Sequence, residues 1–465
     1  MFSKSRGKRR GMSLEDRPVE QPHAAGVDIG AREIFVAVPH DPEGEPVRKF
    51  ATFTEDLWRL ADWLQRCGVT TVAMESTGVF WIPLYEILEQ RGLKPRVVNA
   101  RHMKNVPGRR TDWHECQWIQ FLHAVGLLRA AFRPEEQVCA VRALMRHRQQ
   151  MVQMVAQHVQ HMHKAMTLMN LQLQHVLNDI TGTTGLAIVD AIVAGERDPK
   201  ELSKLRDPRV KASSEVIEKS LRGNWREEHL FTLGQSRQFL RFYQEQIVIC
   251  ETNIERRLQQ FKPRVDPQQT PLPPDNKGNR SGAKRRKKIG HLQNAFDLRT
   301  EAYKLFGVDV TRIPGIETNV LTLFSEVGRD LSRWQSASHF ISWLSLCPDN
   351  DISGGRVLWR GLRKAKNRAG QIFRLAAQSL HRSPTPMGEY LRRLKGKLGP
   401  AGAITATARK IATLFYTLVT RQVEFDHTLW HATDTQRQQR IQARLTRQAR
   451  RLGNQLIPLE VSSSM

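Results

Sequence analysis

The chain has 465 residues, of which 40% are apolar and 25% charged, and its formal net charge is +26 at pH 7. A chain of this length and composition is expected to fold into two or three domains with hydrophobic cores. No apolar run approaches the ~18 residues that span a bilayer, and the basic N-terminus lacks the apolar stretch of a secretory signal. From Ser281 to the end, 31 Lys and Arg stand against 13 Asp and Glu. Charge of this size and sign favours a polyanionic partner, and nucleic acid above all.

Residues 24–128 alternate strand and helix patterns, which predicts an α/β domain that begins with a β-hairpin. Helical spacing follows the third and fourth strands, and a last helix is predicted from about Asp112 to Leu128. The predicted strands are 24–30, 33–38, 47–53, 69–75 and 95–100.

The middle of the chain carries two long seams of apolar residues at 3-4 spacing, over 138–176 and, more weakly, over 230–261. Such seams are typical of coiled-coil helices, which could pair with each other as an antiparallel hairpin or with another subunit. His158, His161 and His163 lie on the first of these helices, where a solvated face is favoured over a metal cluster because their spacing does not put all three on one side.

Composition divides the chain into six predicted segments, and the fold class is α/β plus α with a mostly helical C-terminal domain. Five cysteines without a C-x-x-C pair fit a reducing cytoplasm and argue against a structural zinc site. The predicted segments are a flexible basic N-terminus (1–22), the α/β domain (23–130), a coiled-coil and helical insertion (131–262), a mobile Pro-rich and basic linker (263–294), the C-terminal domain (295–430) and an Arg/Gln-rich tail (431–465).

Four carboxylates stand where a metal site could be built. Asp28 and Glu75 end predicted strands, and Asp112 and Glu115 lie three residues apart at a predicted helix start. Neighbouring strands and a facing helix can bring such groups together to hold two Mg²⁺ ions for phosphoryl transfer. Taken singly, each has a simpler interpretation: a turn aspartate, a cap of the next helix, or the two halves of a capping box.

The C-terminal domain contains two further candidates. Residues 311–328 resemble a helix-hairpin-helix element whose Pro-Gly turn approaches a DNA phosphate, although a plain packing corner fits equally well. Ser353 lies in a Gly-flanked polar loop next to basic residues, so it is a candidate nucleophile toward DNA or a simple turn serine. The predicted nucleic-acid contacts are Arg109, Arg110, Arg356, Arg360, Arg363, Lys364, Lys366 and Arg368.

Taken together, the four acids resemble the layout of RNase H/RuvC-like nucleases. The chain as a whole resembles the insertion sequence 110 family, the DEDD transposases, along nearly its full length. The segments that carry the resemblance include "GVDIGAREIFVAV", "AMESTGVFWIPLYEIL", "VVNARHMKNVPGRRTDWHECQW", "IPGIE" and "FISWLSLCPDNDISGG".

The resemblance implies a RuvC-like metal site at Asp28, Glu75 and Asp112, with Glu115 in place of the family's second aspartate. It implies Mg²⁺, two per site, with Mn²⁺ as the alternative. It also implies that Ser353 becomes covalently joined to DNA during site-specific recombination of element ends and target. A structured noncoding RNA would guide that reaction, and the protein would act as a dimer that assembles to a tetramer on DNA of the bacterial nucleoid in the cytoplasm, away from any membrane.

Two other functions stay open from the residues alone. One is a Mg²⁺-dependent RuvC-like nuclease without strand transfer, in which Ser353 is idle. The other is a non-catalytic coiled-coil protein that binds nucleic acid and uses its acids as helix caps. The replacement of aspartate by Glu115 adds one methylene to a site whose preferred ion demands strict geometry, and we expect Glu115 still to bind metal.

Overall fold

The computed structural model describes residues 17–75, 78–98, 112–274, 296–362, 367–426 and 442–455. The chain divides between Arg133 and Pro134 into two compact units, which are described in turn. Within the described residues, no helix is both long and apolar enough to cross a membrane.

The described residues of the first unit form a five-stranded sheet with three helices, as the sequence predicts, and this fold is consistent with a RuvC-like domain. The strand order is β3-β2-β1-β4-β5, with β2 antiparallel to β1 and β3, and β4 parallel to β1 and β5. The elements are β1 (Ala24–Ile29), β2 (Glu33–Ala37), β3 (Val47–Ala51), α1 (Thr54–Arg66), β4 (Thr71–Glu75), α2 (Trp81–Gln90), β5 (Lys94–Val98) and α3 (Asp112–Ala124).

The two faces of this sheet are covered by different helices because side chains alternate along each strand. Ala25, Val27 and Ile29 of β1 belong to a core built with the apolar residues of α1 and α2. The intervening positions, Gly26 and Asp28, face the side on which α3 packs. The α3 face is therefore the one that can receive the carboxylate of Asp28.

In its described residues, the second unit is helical apart from one two-stranded hairpin, and a further helix covers 442–451. Its elements are α4 (Glu136–Leu168), α5 (Leu173–Val176), α6 (Thr183–Val193), α7 (Pro199–Lys204), α8 (Ser214–Ser220), α9 (Glu227–Leu258), α10 (Leu298–Phe306), α11 (Val320–Val327), α12 (Ala337–Trp343), β6 (Pro348–Ser353), β7 (Arg356–Leu362), α13 (Arg368–Ser379) and α14 (Pro386–Arg421).

The long helices α4 and α9 pack side by side. Arg148 of α4 pairs with Glu251 of α9 at 2.6 Å, and His158 further along α4 stacks on Tyr243 earlier in α9. From the first contact to the second, the residue number rises along α4 and falls along α9. The two helices therefore run antiparallel, as the predicted antiparallel hairpin requires. Arg148 and Glu251 are polar exceptions in the two predicted seams, and their ion pair explains why both occur there.

The first seam is shorter in the structure than in the prediction. Helix α4 ends at Leu168 rather than continuing to Val176, and Asn170 has a left-handed backbone with φ of 54°. A long helix cannot pass through a left-handed residue. The rest of the predicted seam belongs to the turn and to the separate short helix α5.

The structure refines two predictions for the C-terminal region. The start of the predicted mobile linker is bound, because the backbone N–H of Arg264 donates to the Lys304 carbonyl of α10. Residues 311–328 form two 3-10 turns followed by α11 rather than two full helices. A side chain at Gly315 would overlap the backbone of Ala376 in α13, so this turn packs against α13. Helix-hairpin-helix geometry stays a prediction.

Candidate metal centre and serine hairpin

Two carboxylates lie at the ends of the two central strands. Asp28 is the penultimate residue of β1, and Glu75 is the last residue of β4. These strands are parallel, and Val27 is the register partner of Met74. Asp28 and Glu75 each follow that pair by one residue, so they leave the same edge of the sheet on the same face.

Helix α3 approaches β1 closely because β1 has a glycine at the contact. A Cβ built on Gly26 would overlap the backbone of Gln120 and Cys116 in α3. The first turn of α3 is held further by Trp113, whose ring packs edge-on against Phe35 with centroids 6.3 Å apart. The absence of a side chain at position 26 thus lets α3 bring its first turn to the end of β1.

This packing gathers three of the predicted ligands. Carboxylate oxygens of Asp28, Glu75 and Glu115 all lie within 4.8 Å of one another, and each residue is partly buried. Among the described residues, they form the one group of His, Cys, Asp or Glu side chains close enough to hold a metal ion. Mg²⁺ binds oxygen at ~2.1 Å, so oxygens up to ~4.2 Å apart can share one ion. The observed spacing needs only a small inward movement of the side chains.

The electrostatics of the group favour a cation. Burial, the nearby carboxylates of Glu115 and Asp112, and that of Glu75 together raise the pKa of Asp28 from 3.8 to about 6. Like charges that repel one another in this way are relieved when a divalent ion is bound between them. An all-oxygen donor set suits hard cations such as Mg²⁺ and Mn²⁺.

Asp112 is close to the group but does not belong to it. It is the first helical residue of α3 and is exposed, yet it is near enough to contribute to the raised pKa of Asp28. Glu115, one helical turn later, is the α3 residue whose oxygen reaches Asp28 and Glu75. The alternative interpretation of Glu115 as half of a capping box does not account for this convergence. Cys116 is buried beneath the site, and burial raises the pKa of its thiol to about 12, which keeps it protonated.

Ser353 lies in the second unit, at the end of a strand rather than in a loop. It is the last residue of β6, and its register partner is Arg356, the first residue of β7. Gly354 and Gly355 form the two-residue turn, both with positive φ (56° and 77°), which glycine adopts without strain. Ser353 and Arg356 are both exposed and share one face of the hairpin.

The predicted nucleic-acid contacts divide into two groups. Arg356 and Arg368 are exposed, at the start of β7 and of α13. Arg360 belongs to β7, and its side chain is not described. The remaining predicted contacts lie outside the described residues; they are Arg109, Arg110, Arg363, Lys364 and Lys366.

One histidine of α4, His158, packs against aromatic side chains of α9. His158 stacks on Phe239 and Tyr243 of α9, with ring centroids 4.9 Å and 5.7 Å away. His158 therefore packs against α9 rather than facing solvent, whereas His161 is exposed, as on the predicted solvated face. Burial and the nearby His161 lower the pKa of His158, which keeps its ring neutral against the two aromatic rings.

Two family models match the chain. A DEDD transposase model of the IS110 type, described as "Transposase", matches residues 25–171. The model described as "Transposase IS116/IS110/IS902 family" matches residues 309–392. The first match contains the carboxylate group and the second contains the serine hairpin. No curated protein matches the chain.

Proposed function

Because the chain belongs to the IS110 family of transposases, an enzyme class that acts on DNA, we propose that it recombines DNA with a serine nucleophile and a Mg²⁺-dependent acidic site. The observation that carries the proposal is the convergence of the Asp28, Glu75 and Glu115 oxygens within the first matched region. A divalent ion bound there supplies positive charge to the phosphate under attack and to the leaving oxygen.

The protein residues have separate roles in this proposal. Asp28, Glu75 and Glu115 hold the metal, and exposed Asp112 contributes negative charge nearby. Ser353 Oγ attacks a backbone phosphorus, so an Oγ–P bond forms and the P–O bond to the leaving strand breaks. The serine proton passes to the leaving oxygen, which becomes a hydroxyl. Rejoining is the reverse reaction with a hydroxyl from another strand.

Arginines next to the serine suit the backbone phosphates. Arg356 shares the serine's face of the hairpin, and a planar guanidinium can bind two phosphate oxygens at once. Phosphate binding is also proposed for Arg368 and Arg360. It extends to the basic residues outside the described part of the chain. They are Arg109, Arg110, Arg363, Lys364 and Lys366.

The broader architecture belongs to the same proposal. The domains are those predicted from composition: a RuvC-like domain over 23–130, a coiled-coil region over 131–262 and a serine-bearing domain over 295–430 with a helix-hairpin-helix element. A structured noncoding RNA guides target choice, and dimers assemble to tetramers that combine the acids of one subunit with the serine of another. The net charge of +26 suits both DNA and RNA. The enzyme acts in the bacterial cytoplasm on nucleoid DNA.

A single assay separates this function from the two alternatives. The protein is incubated with element-end DNA, Mg²⁺ and the RNA that copurifies with it, and the products are resolved under denaturing conditions. The proposal expects a denaturant-resistant protein–DNA adduct that is lost in Ser353→Ala, in Asp28→Ala and with chelator. Nicking without an adduct would indicate a nuclease without strand transfer, and binding without cleavage would indicate a non-catalytic binding protein.

A further inference from the structure

The β6–β7 hairpin exposes apolar side chains beside Ser353. Val357 is 39% exposed, Leu358 71% and Trp359 48%. An isolated two-stranded hairpin is marginally stable in water, and exposed apolar side chains on it need a partner. The register of the hairpin and its charge indicate which partner fits.

A bulge decides which of these side chains shares the serine's face. Ser353 pairs with Arg356 and Ile352 with Val357, but Asp351 pairs with Trp359, so Leu358 is an extra residue. In a regular ladder Leu358 would follow Arg356 on the serine's face. The extra residue shifts the alternation and puts Trp359 there instead. Trp359 is then about two residues along from the Ser353–Arg356 pair, or ~7 Å at the usual rise of a strand.

The Trp359 ring is held in place by a glycine. A Cβ built on Gly361, two positions further on the same face, would overlap the six-membered ring of Trp359. The indole therefore lies over the backbone at Gly361, and almost half of the residue remains exposed. A fixed aromatic ring with free surface is what a nucleobase stacks on in proteins that bind single strands.

Charge selects a nucleic acid over a protein as the occupant. From Pro348 to Arg374 the sequence has seven Lys and Arg and two Asp. Basic groups interleaved with an exposed aromatic ring match a strand whose backbone is anionic and whose bases are flat and apolar. A base can stack on Trp359 only when it has left the duplex, since stacked neighbours cover both faces of a base inside it.

We propose that Trp359 is a stacking platform for an unpaired base of the DNA strand whose phosphate is presented to Ser353. This inference rests on the proposed function, because Ser353 defines the strand. Stacking fixes the nucleotide about two residues from the nucleophile, while Arg356 binds phosphate between them. Trp359 acts as a positioning residue in this arrangement.

The inference can be tested by photocrosslinking. The full chain is irradiated with single-stranded DNA that carries 5-iodouracil bases, and the crosslinked peptides are identified by mass spectrometry. We expect the peptide containing Trp359 to dominate. Base–aromatic stacking contributes ~1–3 kcal/mol per base, so Trp359→Ala should also weaken single-strand binding on the order of 5- to 100-fold at elevated salt, whereas Trp359→Phe should retain most of it.

Two further variants distinguish a loss of base stacking from a loss of folding. Gly361→Ala keeps the indole but displaces it, and should lower the crosslink yield without changing the thermal midpoint by more than Trp359→Phe does. Leu358→Ala removes a more exposed apolar side chain from the same strand and should leave the crosslink at Trp359 intact. Equal losses in Trp359→Ala and Leu358→Ala, or crosslinks confined to other aromatic residues, would overturn the inference.

The outcome is separable from that of the proposed function. Ser353→Ala should keep the Trp359 crosslink while losing the covalent adduct. A wild-type adduct without a Trp359 crosslink refutes the stacking platform alone. A Trp359 crosslink without any wild-type adduct supports base stacking and refutes the serine chemistry. Crosslinking to iodouracil RNA but not to DNA would contradict the commitment to a DNA strand.

Discussion

Carboxylate oxygens of Asp28 and Glu115 lie within 4.8 Å of each other, although one residue lies near the end of a central strand and the other in the first turn of a helix much later in the chain. Their repulsion is part of what raises the pKa of Asp28 to about 6, after burial itself. Two partly buried acids held this close are expected at a cation site more often than at a purely structural contact.

Shortening Glu115 should weaken the metal site. Glu115→Asp keeps the charge but withdraws the carboxylate by about one C–C bond, ~1.5 Å, and Mg²⁺ tolerates little change in geometry. We expect at least a tenfold loss of metal affinity by titration calorimetry, and a smaller loss for Asp112→Asn, whose side chain is exposed. Glu55→Asp, in the first turn of α1, is the matched control and should change nothing. Tighter binding or higher activity in Glu115→Asp would mean that Glu115 compromises the site.

Adding a side chain at Gly26 should displace α3 and thereby disturb the metal site. Gly26→Val would force its Cβ into the backbone of Gln120 and Cys116, so α3 must move away from β1 and carry Glu115 with it. Overpacking of this kind costs ~1–3 kcal/mol, seen as a lower denaturant midpoint, and metal binding should fall with it. Gly396→Ala in α14, where a Cβ meets nothing within 4 Å, should be neutral or slightly stabilising. A Gly26→Val protein with unchanged metal affinity would show that α3 does not position the site.

Metal binding should displace a proton as the pH falls toward the Asp28 pKa. That pKa is raised to about 6 in the folded protein, so Asp28 is charged at pH 7.5 and about half protonated at pH 6. Calorimetry in buffers of different ionisation enthalpy should detect little proton release at pH 7.5 and about half a proton at pH 6, with weaker apparent affinity.

Without metal, the raised pKa means that unfolding free energy rises as the pH drops from about 6 toward 4, because the folded state takes up a proton first. Equal proton release at both pH values would contradict the ligand role of Asp28.

Breaking the ion pair between α4 and α9 should destabilise the second unit. Glu251 is 1% exposed and Arg148 15% exposed at the side chain, so Glu251→Met leaves a largely buried cation and should cost ~3–5 kcal/mol. The double variant Arg148→Met/Glu251→Met should recover most of that loss in urea unfolding. Lys204→Ala, from the exposed pair with Glu201, is the control and should change stability by less than ~1 kcal/mol. A double variant as unstable as the single one would show that packing, rather than charge, decides this contact.

Much of the first unit could be predicted because its signals are local. Apolar runs ending at turn residues gave all five strands to within a few residues, and strand ends placed Asp28 and Glu75 together. The sequence does not show that Glu115 rather than Asp112 joins Asp28 and Glu75, since this depends on the rotation and height of α3 above β1. Gly26 sets that height, and the glycine before Asp28 in "GVDIG" was the available sign of a close approach.

The second unit was harder because its features depend on distant partners or on single residues. Arg148 and Glu251 each interrupt an apolar seam in the sequence, and only the antiparallel pairing of α4 and α9 shows that they form an ion pair. The left-handed Asn170 ends α4 within an otherwise regular apolar pattern. The sequence predicts a loop at Ser353 because Gly354 and Gly355 dominate the segment, and the bulge at Leu358 conceals the alternation that would indicate a strand.

The most direct test of the proposed chemistry is to find where DNA becomes attached. The denaturant-resistant adduct formed with element-end DNA, Mg²⁺ and the copurified RNA is digested, and the peptide that carries nucleotide is sequenced by mass spectrometry. The proposed chemistry requires a phosphoester on Ser353 Oγ, absent when Asp28 or Glu75 is replaced by alanine. Attachment at another residue, or an adduct that forms equally well without the carboxylates, would contradict it.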